Sequence, residues 1–176
     1  GVKMKISDLV REILQFDVEQ IRTLEDLVHS HDLTMLIGNG GSNSICSHIA
    51  QDYTKMLGKR AIAFSDPSRL TCYINDYGME DAYAKFIQDF HDIRDNGTLV
   101  ILISSSGNSE NIVRSARMCN LLGLKYVTLT GFDKDNRLRT DHSDSSCLDI
   151  WVDSHDYGVV ECAHQIFLHT IVGEFE

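Results

Sequence analysis

His48 and Asp52 stand four residues apart, and Glu161, Gln165 and His169 repeat that interval near the C-terminal end. Residues four apart share one face of a helix. Two such helices side by side would offer two imidazoles and two carboxylates, from His48, Asp52, Glu161 and His169, a donor set that zinc accepts. A carboxylate beside an imidazole also suits proton transfer. Taken alone, His48 and Asp52 read better as a solvated polar face, and neither pair by itself establishes a metal site. The remaining histidines, His164 among them, lack such spacing and read as surface or supporting groups.

A second chemical signal is "ISSSGNSEN", with Ser104, Ser105, Ser106 and Ser109 around Gly107. It follows the most apolar stretch of the chain and precedes a helical pattern. Small hydroxyls and free backbone N–H groups then meet the positive end of a helix, which makes a phosphate cradle. The plainer alternative is a serine-rich loop with Ser109 as a helix cap. Its place between strand and helix favours phosphate. "GNGGS", from Gly38 to Ser42, is weaker, since glycines after a strand often only make a turn. It lacks the GK[ST] of a Walker loop, and the third glycine of GxGxxG is replaced by Asn43.

Alternating elements must position these groups. The apolar periodicity predicts one long helix over 5–30, before the first strand. Strands are expected at 33–38, 60–65, 97–104, 125–131 and 147–152, and helices at 43–57, 79–94, 109–122 and 158–173. Residues 132–146 read as a loop or short helix, and Ser65–Asp76 as a polar segment at a strand end. Strand–helix alternation implies right-handed crossovers and a parallel sheet covered on both faces. Ligands then bind beyond the carboxyl ends of the strands.

The 176 residues form a single expected domain, 1–176, with residues 1–30 as a packing or oligomerisation helix. A net charge of -10 argues against a general nucleic-acid partner. The five scattered cysteines read as reduced thiols in a cytosolic chain, with Cys46, Cys119 and Cys162 as small core residues. No signal peptide or membrane-crossing run is seen, and Gly1 reads as a possible expression remnant.

In order along nearly the whole chain, "GNGGSNSICSHIAQD", "NDYG", "ISSSGNSENIV", "VTLTG" and "ECAHQIFLH" resemble the sedoheptulose-7-phosphate isomerases (phosphoheptose isomerases) of the SIS phosphosugar-binding superfamily. The SGNS loop points to SIS domains; the histidine after GNGGS and the C-terminal acid and histidine point to the isomerase branch. The resemblance implies an α/β fold, a three-layer α/β/α sandwich on a parallel sheet. It implies a homotetramer with active sites at subunit interfaces. It also implies a cytoplasmic role at the start of nucleotide-activated heptose synthesis, for lipopolysaccharide or capsule.

By position, the resemblance assigns sugar contacts to Asn39, Gly40, Gly41, Asn75 and Asp76, and phosphate contacts to Ser104, Ser105, Ser106 and Ser109. It assigns zinc ligation to His48 and His169, with Asp52 and Glu161 beside them at both metal and substrate. Asp52 takes the catalytic carboxylate's place, where the family usually has Glu, and Glu161 stands where it usually has Gln. The implied reaction turns sedoheptulose 7-phosphate into D-glycero-D-manno-heptose 7-phosphate through a cis-enediol(ate), with Asp52 as base and His169 as its acid–base partner. Two other readings share the motifs: a non-catalytic phosphosugar sensor of the type associated with the replication initiator, and an isomerase of another phosphosugar.

Overall fold

The computed structural model describes residues 5–13, 16–94, 97–141 and 146–173. Five strands, β1 (Leu33–Gly38), β2 (Arg60–Ala63), β3 (Thr98–Ser104), β4 (Lys125–Thr130) and β5 (Ser146–Trp151), make one sheet in the order β2-β1-β3-β4-β5. Every neighbouring pair is parallel. The helices are α1 (Ile6–Ile13), α2 (Val18–Ser30), α3 (Gly40–Leu57), α4 (Pro67–Tyr77), α5 (Ala82–Phe90), α6 (Glu110–Leu122), α7 (Arg137–Thr140) and α8 (Tyr157–His169).

The central strand shows why the chain makes three layers. All of β3 is buried. Successive side chains of a strand point to opposite faces. Leu99, Ile101 and Ile103 join a core with Leu24 and Val28 of α2, Ile49 and Tyr53 of α3, and Phe167 and Leu168 of α8. Val100 and Leu102 join the opposite core, with Phe86 and Ile87 of α5 and Ile112 and Val113 of α6. A strand buried on both faces must be apolar at every position, hence the unbroken run "LVILI".

Four expectations need correction. The single N-terminal helix over 5–30 is two helices, α1 and α2. Asp17 caps α2: its carboxylate accepts from Glu19 N–H at 3.0 Å, and Gln20 Oε1 accepts from Asp17 N–H at 3.2 Å. This reciprocal box starts a new helix inside a continuous apolar stripe. Leu14, read as part of that stripe, lies outside the described residues, as do Gly1 and positions 142–145 of the polar segment. Second, much of the polar segment Ser65–Asp76 is helix α4; Asp66 caps it and Pro67 opens it. Third, the helix expected over 79–94 is confined to α5, Ala82–Phe90. Fourth, Cys162 is exposed, whereas Cys46 and Cys119 are buried as expected. No helix among the described residues is long and apolar enough to cross a membrane.

His164, expected at the surface or in support, is fully buried and ties α8 to the sheet: its Nε2–H donates to the Thr130 carbonyl at 3.0 Å. Burial lowers its pKa from 6.5 to about 4. The unfolded chain therefore takes up this proton first as pH falls. Stability is full above about pH 6.5, declines below it and levels near pH 4, a loss of about 3 kcal/mol. Urea unfolding at pH 7.5 and pH 5 should show this fall in the parent. His164→Gln, which keeps a donor for Thr130 and does not titrate, should flatten it; an unchanged slope would refute the assignment.

Candidate active site

Two parallel helices build the site. At their N-terminal ends Gly41 of α3 faces Glu161 of α8, and a Cβ at Gly41 would overlap the Glu161 carboxylate. One to two turns on, His48 faces Gln165, and beyond them Asp52 faces His169. The Tyr53 hydroxyl fixes the register by donating to the Leu168 carbonyl at 2.9 Å.

At the far end of this seam the two imidazoles converge on one oxygen. Asp52 Oδ2 lies 3.2 Å from His48 Nε2 and 3.0 Å from His169 Nε2. The ring centroids are 5.1 Å apart, edge to face. Asp52 keeps 14% of its side-chain exposure and His48 keeps 52%, so the cluster opens to solvent on the His48 side. Ligand atoms of His48, Asp52 and His169 all lie within 4.8 Å of one another. Two imidazole nitrogens and a carboxylate oxygen with one side open fit a catalytic zinc centre, which takes three protein ligands and leaves a fourth position free. Glu161, expected as a further ligand, is outside this group, with its carboxylate against Gly41.

At the near end lies the serine loop. Gly107 N–H donates to Ser104 Oγ, and Asn108 N–H to Ser106 Oγ, both at 3.2 Å. Ser109 occupies the N-cap position of α6 without its hydroxyl capping the helix, and it lies 3.4 Å from Ser104 Oγ. The Ser105 hydroxyl is buried with no hydrogen-bond partner among the described residues. Buried hydroxyls rarely lack a partner, so Ser105 Oγ is a candidate donor to a ligand oxygen. The loop lines a cavity of about 130 Å³ with Asn39, Ser42, Tyr157 and Glu161.

Thus one group of expected residues, Asn39, Ser104, Ser105, Ser106, Ser109 and Glu161, surrounds one cavity, with Gly41 packed under Glu161 and Gly40 opening α3 beside Asn39. A second group, His48, Asp52 and His169, forms the cluster. Asn75 and Asp76 join neither: they are exposed on α4, where the Asn75 amide donates to Asp76 Oδ1 at 3.0 Å. Sequence reasoning gave no role to Asn111, whose amide pairs reciprocally with Asn39 at 2.9 Å, or to Tyr157. For Tyr157 the four-residue step back from Glu161 was the available signal. Nothing in the sequence marked Asn111.

A five-stranded parallel sheet with a serine loop between β3 and α6 and a polar seam at its carboxyl edge defines a sugar-isomerase-type domain, and the SIS domain family model matches residues 5–131. The chain belongs to the phosphoheptose isomerase family of SIS-domain proteins. It is 31% identical over 137 residues to a phosphoheptose isomerase of Fusobacterium nucleatum, covering 72% of this chain and 69% of that one. It is 38% identical over 101 residues to that of Edwardsiella ictaluri, covering 54% and 51%. The chain spans about half the length of most of the curated relatives it matches. The solved phosphoheptose isomerase of Neisseria gonorrhoeae shares the fold, with a TM-score of 0.80, 22% identity and coverage of 94% and 91%.

Proposed function

We propose that the chain is an aldose–ketose isomerase of a phosphosugar, converting sedoheptulose 7-phosphate to D-glycero-D-manno-heptose 7-phosphate for nucleotide-activated heptose synthesis toward lipopolysaccharide or capsule. One observation carries the reading: a single seam between α3 and α8 has a cavity lined by the serine loop at one end and a carboxylate–imidazole cluster at the other. Glu161 and His169 are eight residues apart on α8, about 12 Å along the axis. A linear sugar phosphate fits that span, with phosphate on Ser104–Ser109 and carbons 1 and 2 toward the cluster.

In the ketose-to-aldose direction a base takes a proton from C1, the C1–C2 double bond forms, and O2 gains a proton. The enediol then loses the O1 proton and is protonated at C2. Asp52 is assigned to the carbon proton, acting from Oδ1 while Oδ2 holds the imidazoles. His169, 3.0 Å away, is assigned to the oxygens. Holding the phosphate apart from the chemistry fixes C1 and C2 against these groups. His48, Asp52 and His169 would hold a zinc ion, which would supply polarisation of the carbonyl oxygen; His169 Nε2 serves either the metal or the oxygen protons in a given step, not both.

The working form is proposed to be a homo-oligomer, a tetramer by family resemblance, in the cytoplasm. In support, α1 leaves Ile6 79% and Val10 47% exposed on one face, and α4 presents Asn75 and Asp76 outward, where they could complete a neighbour's site. Free cysteines fit a reducing compartment.

NMR of the pure protein with sedoheptulose 7-phosphate should show the aldose appear, and light scattering of the same sample should show more than one subunit. Binding without turnover would replace the enzyme reading with that of a phosphosugar sensor. A fully active monomer would remove the oligomer.

A further inference from the structure

Gln165 touches both histidines of the cluster. Its side-chain amide nitrogen lies 2.8 Å from His48 Nδ1, and its backbone carbonyl lies 3.0 Å from His169 Nδ1. The other nitrogen of each ring, Nε2, meets Asp52 Oδ2. Asp52, His48, Gln165 and His169 therefore close a ring of polar contacts across the α3–α8 seam.

Hydrogen-bond chemistry decides what this ring does. A carbonyl oxygen only accepts, so His169 Nδ1 carries a hydrogen and donates it to Gln165. That fixes the His169 ring with Nε2 toward Asp52. The same holds for His48 through an amide, which has both a donor and an acceptor end. Its NH₂ donates to a bare Nδ1; turned over, its Oε1 accepts from Nδ1–H. In the second arrangement the lone pair of His48 Nε2 is free on the side where His169 Nε2 and Asp52 already converge.

We infer that Gln165 is a positioning residue: its main chain holds His169 and its side chain holds His48, so that both Nε2 atoms face the point marked by Asp52. This is the outer support that metal-ligating imidazoles require, one ring nitrogen engaged by protein so that the other is aimed. The inference rests on the proposed metal-assisted reading. Neither the "GNGGS" and "SGNS" loops nor the acid–histidine pair at 161 and 169 assigns anything to position 165. Glu161 does not offer this support, because its carboxylate lies against Gly41 at the opposite end of the seam.

The test uses the full chain stripped of metal, titrated with zinc by calorimetry, together with ¹⁵N spectra of the imidazoles. Gln165 is not buried, so Gln165→Leu leaves the core alone while removing both ends of the amide. It should weaken zinc binding 10- to 100-fold, roughly the effect of losing an outer-shell partner. His48 should lose its fixed ring-nitrogen pattern and His169, held by the main chain, should keep its own. Gln165→Glu retains an acceptor for His48 Nδ1–H and should bind zinc at least as tightly as the parent. Parental zinc affinity in Gln165→Leu would overturn the inference. A parent that binds no zinc would remove the metal reading instead. The spectra then decide the positioning role: unchanged His48 signals in Gln165→Leu overturn it, and a loss confined to His48 upholds it.

Discussion

Gly107→Ala should abolish phosphosugar binding, with at least a roughly 100-fold loss of affinity and a destabilisation of about 3 kcal/mol. Gly107 has φ +65, a left-handed conformation that disfavours a side chain, and a Cβ there would fall inside the Asn136 side chain. Asn136 has nowhere to go. It is 2% exposed, and its amide donates to the Asp133 carbonyl at 2.9 Å and to Thr130 Oγ1 at 3.2 Å. Its Oδ1 caps α7. Gly107 itself is bound on both sides, its N–H to the Ser104 carbonyl and its own carbonyl to Leu138 N–H, each at 3.0 Å. The strain must therefore pass into the serine loop or into the turn that carries α7. A milder control is Ser106→Ala with Ser109→Ala, which removes two hydroxyls and should weaken binding while leaving the melting temperature near the parent's. Calorimetry with sedoheptulose 7-phosphate reads both variants. Parental affinity in Gly107→Ala would mean that the loop is not the anion site.

The contrast between Gly107 and Asn136 shows what the sequence could carry. The strand–loop–helix order around "SSSGNSEN" is local: an apolar run, a glycine and a polar helix start are adjacent in the chain, so the turn and its place in the fold were legible. Its lock is not, because Asn136 reaches it from a loop nearly thirty residues on. The His48–Asp52 and Glu161–His169 stripes were legible as periodicity, yet periodicity gives only the face and not the offset between two helices. That offset, set by packing such as Tyr53 against Leu168, brings Asp52 to His169 and leaves Glu161 at Gly41. The break between α1 and α2 was missed for another reason. Apolar spacing continues across it, and the side-chain hydrogen bonds of Asp17 and Gln20 that start the second helix leave no mark in that spacing.

Asp52→Asn is expected to lower turnover of sedoheptulose 7-phosphate by roughly 100-fold or more, the scale of losing a general base. Affinity for the sugar phosphate should change only a few-fold, because the serine loop stands at the other end of the seam. The substitution keeps the volume and changes the chemistry. Oδ2 lies 3.2 and 3.0 Å from the Nε2 atoms of two imidazoles. An asparagine offers one oxygen and one donor there, so at most one end of the amide can accept or ligate, and the negative charge that favours a bound metal cation is gone. Zinc binding should fall with the activity. Asp52→Glu is the sharper comparison. The usual family residue is about 1.5 Å longer, and here it would push into a space already closed by His48 and His169. It should therefore reduce turnover even though it restores the common residue type. Glu161→Gln should not rescue it, because Glu161 does not touch the cluster and sites without contact add independently. Rescue would show that Glu161 swings across the seam during turnover. Parental turnover in Asp52→Asn would remove Asp52 from the chemistry and leave His169 as the only assigned proton carrier.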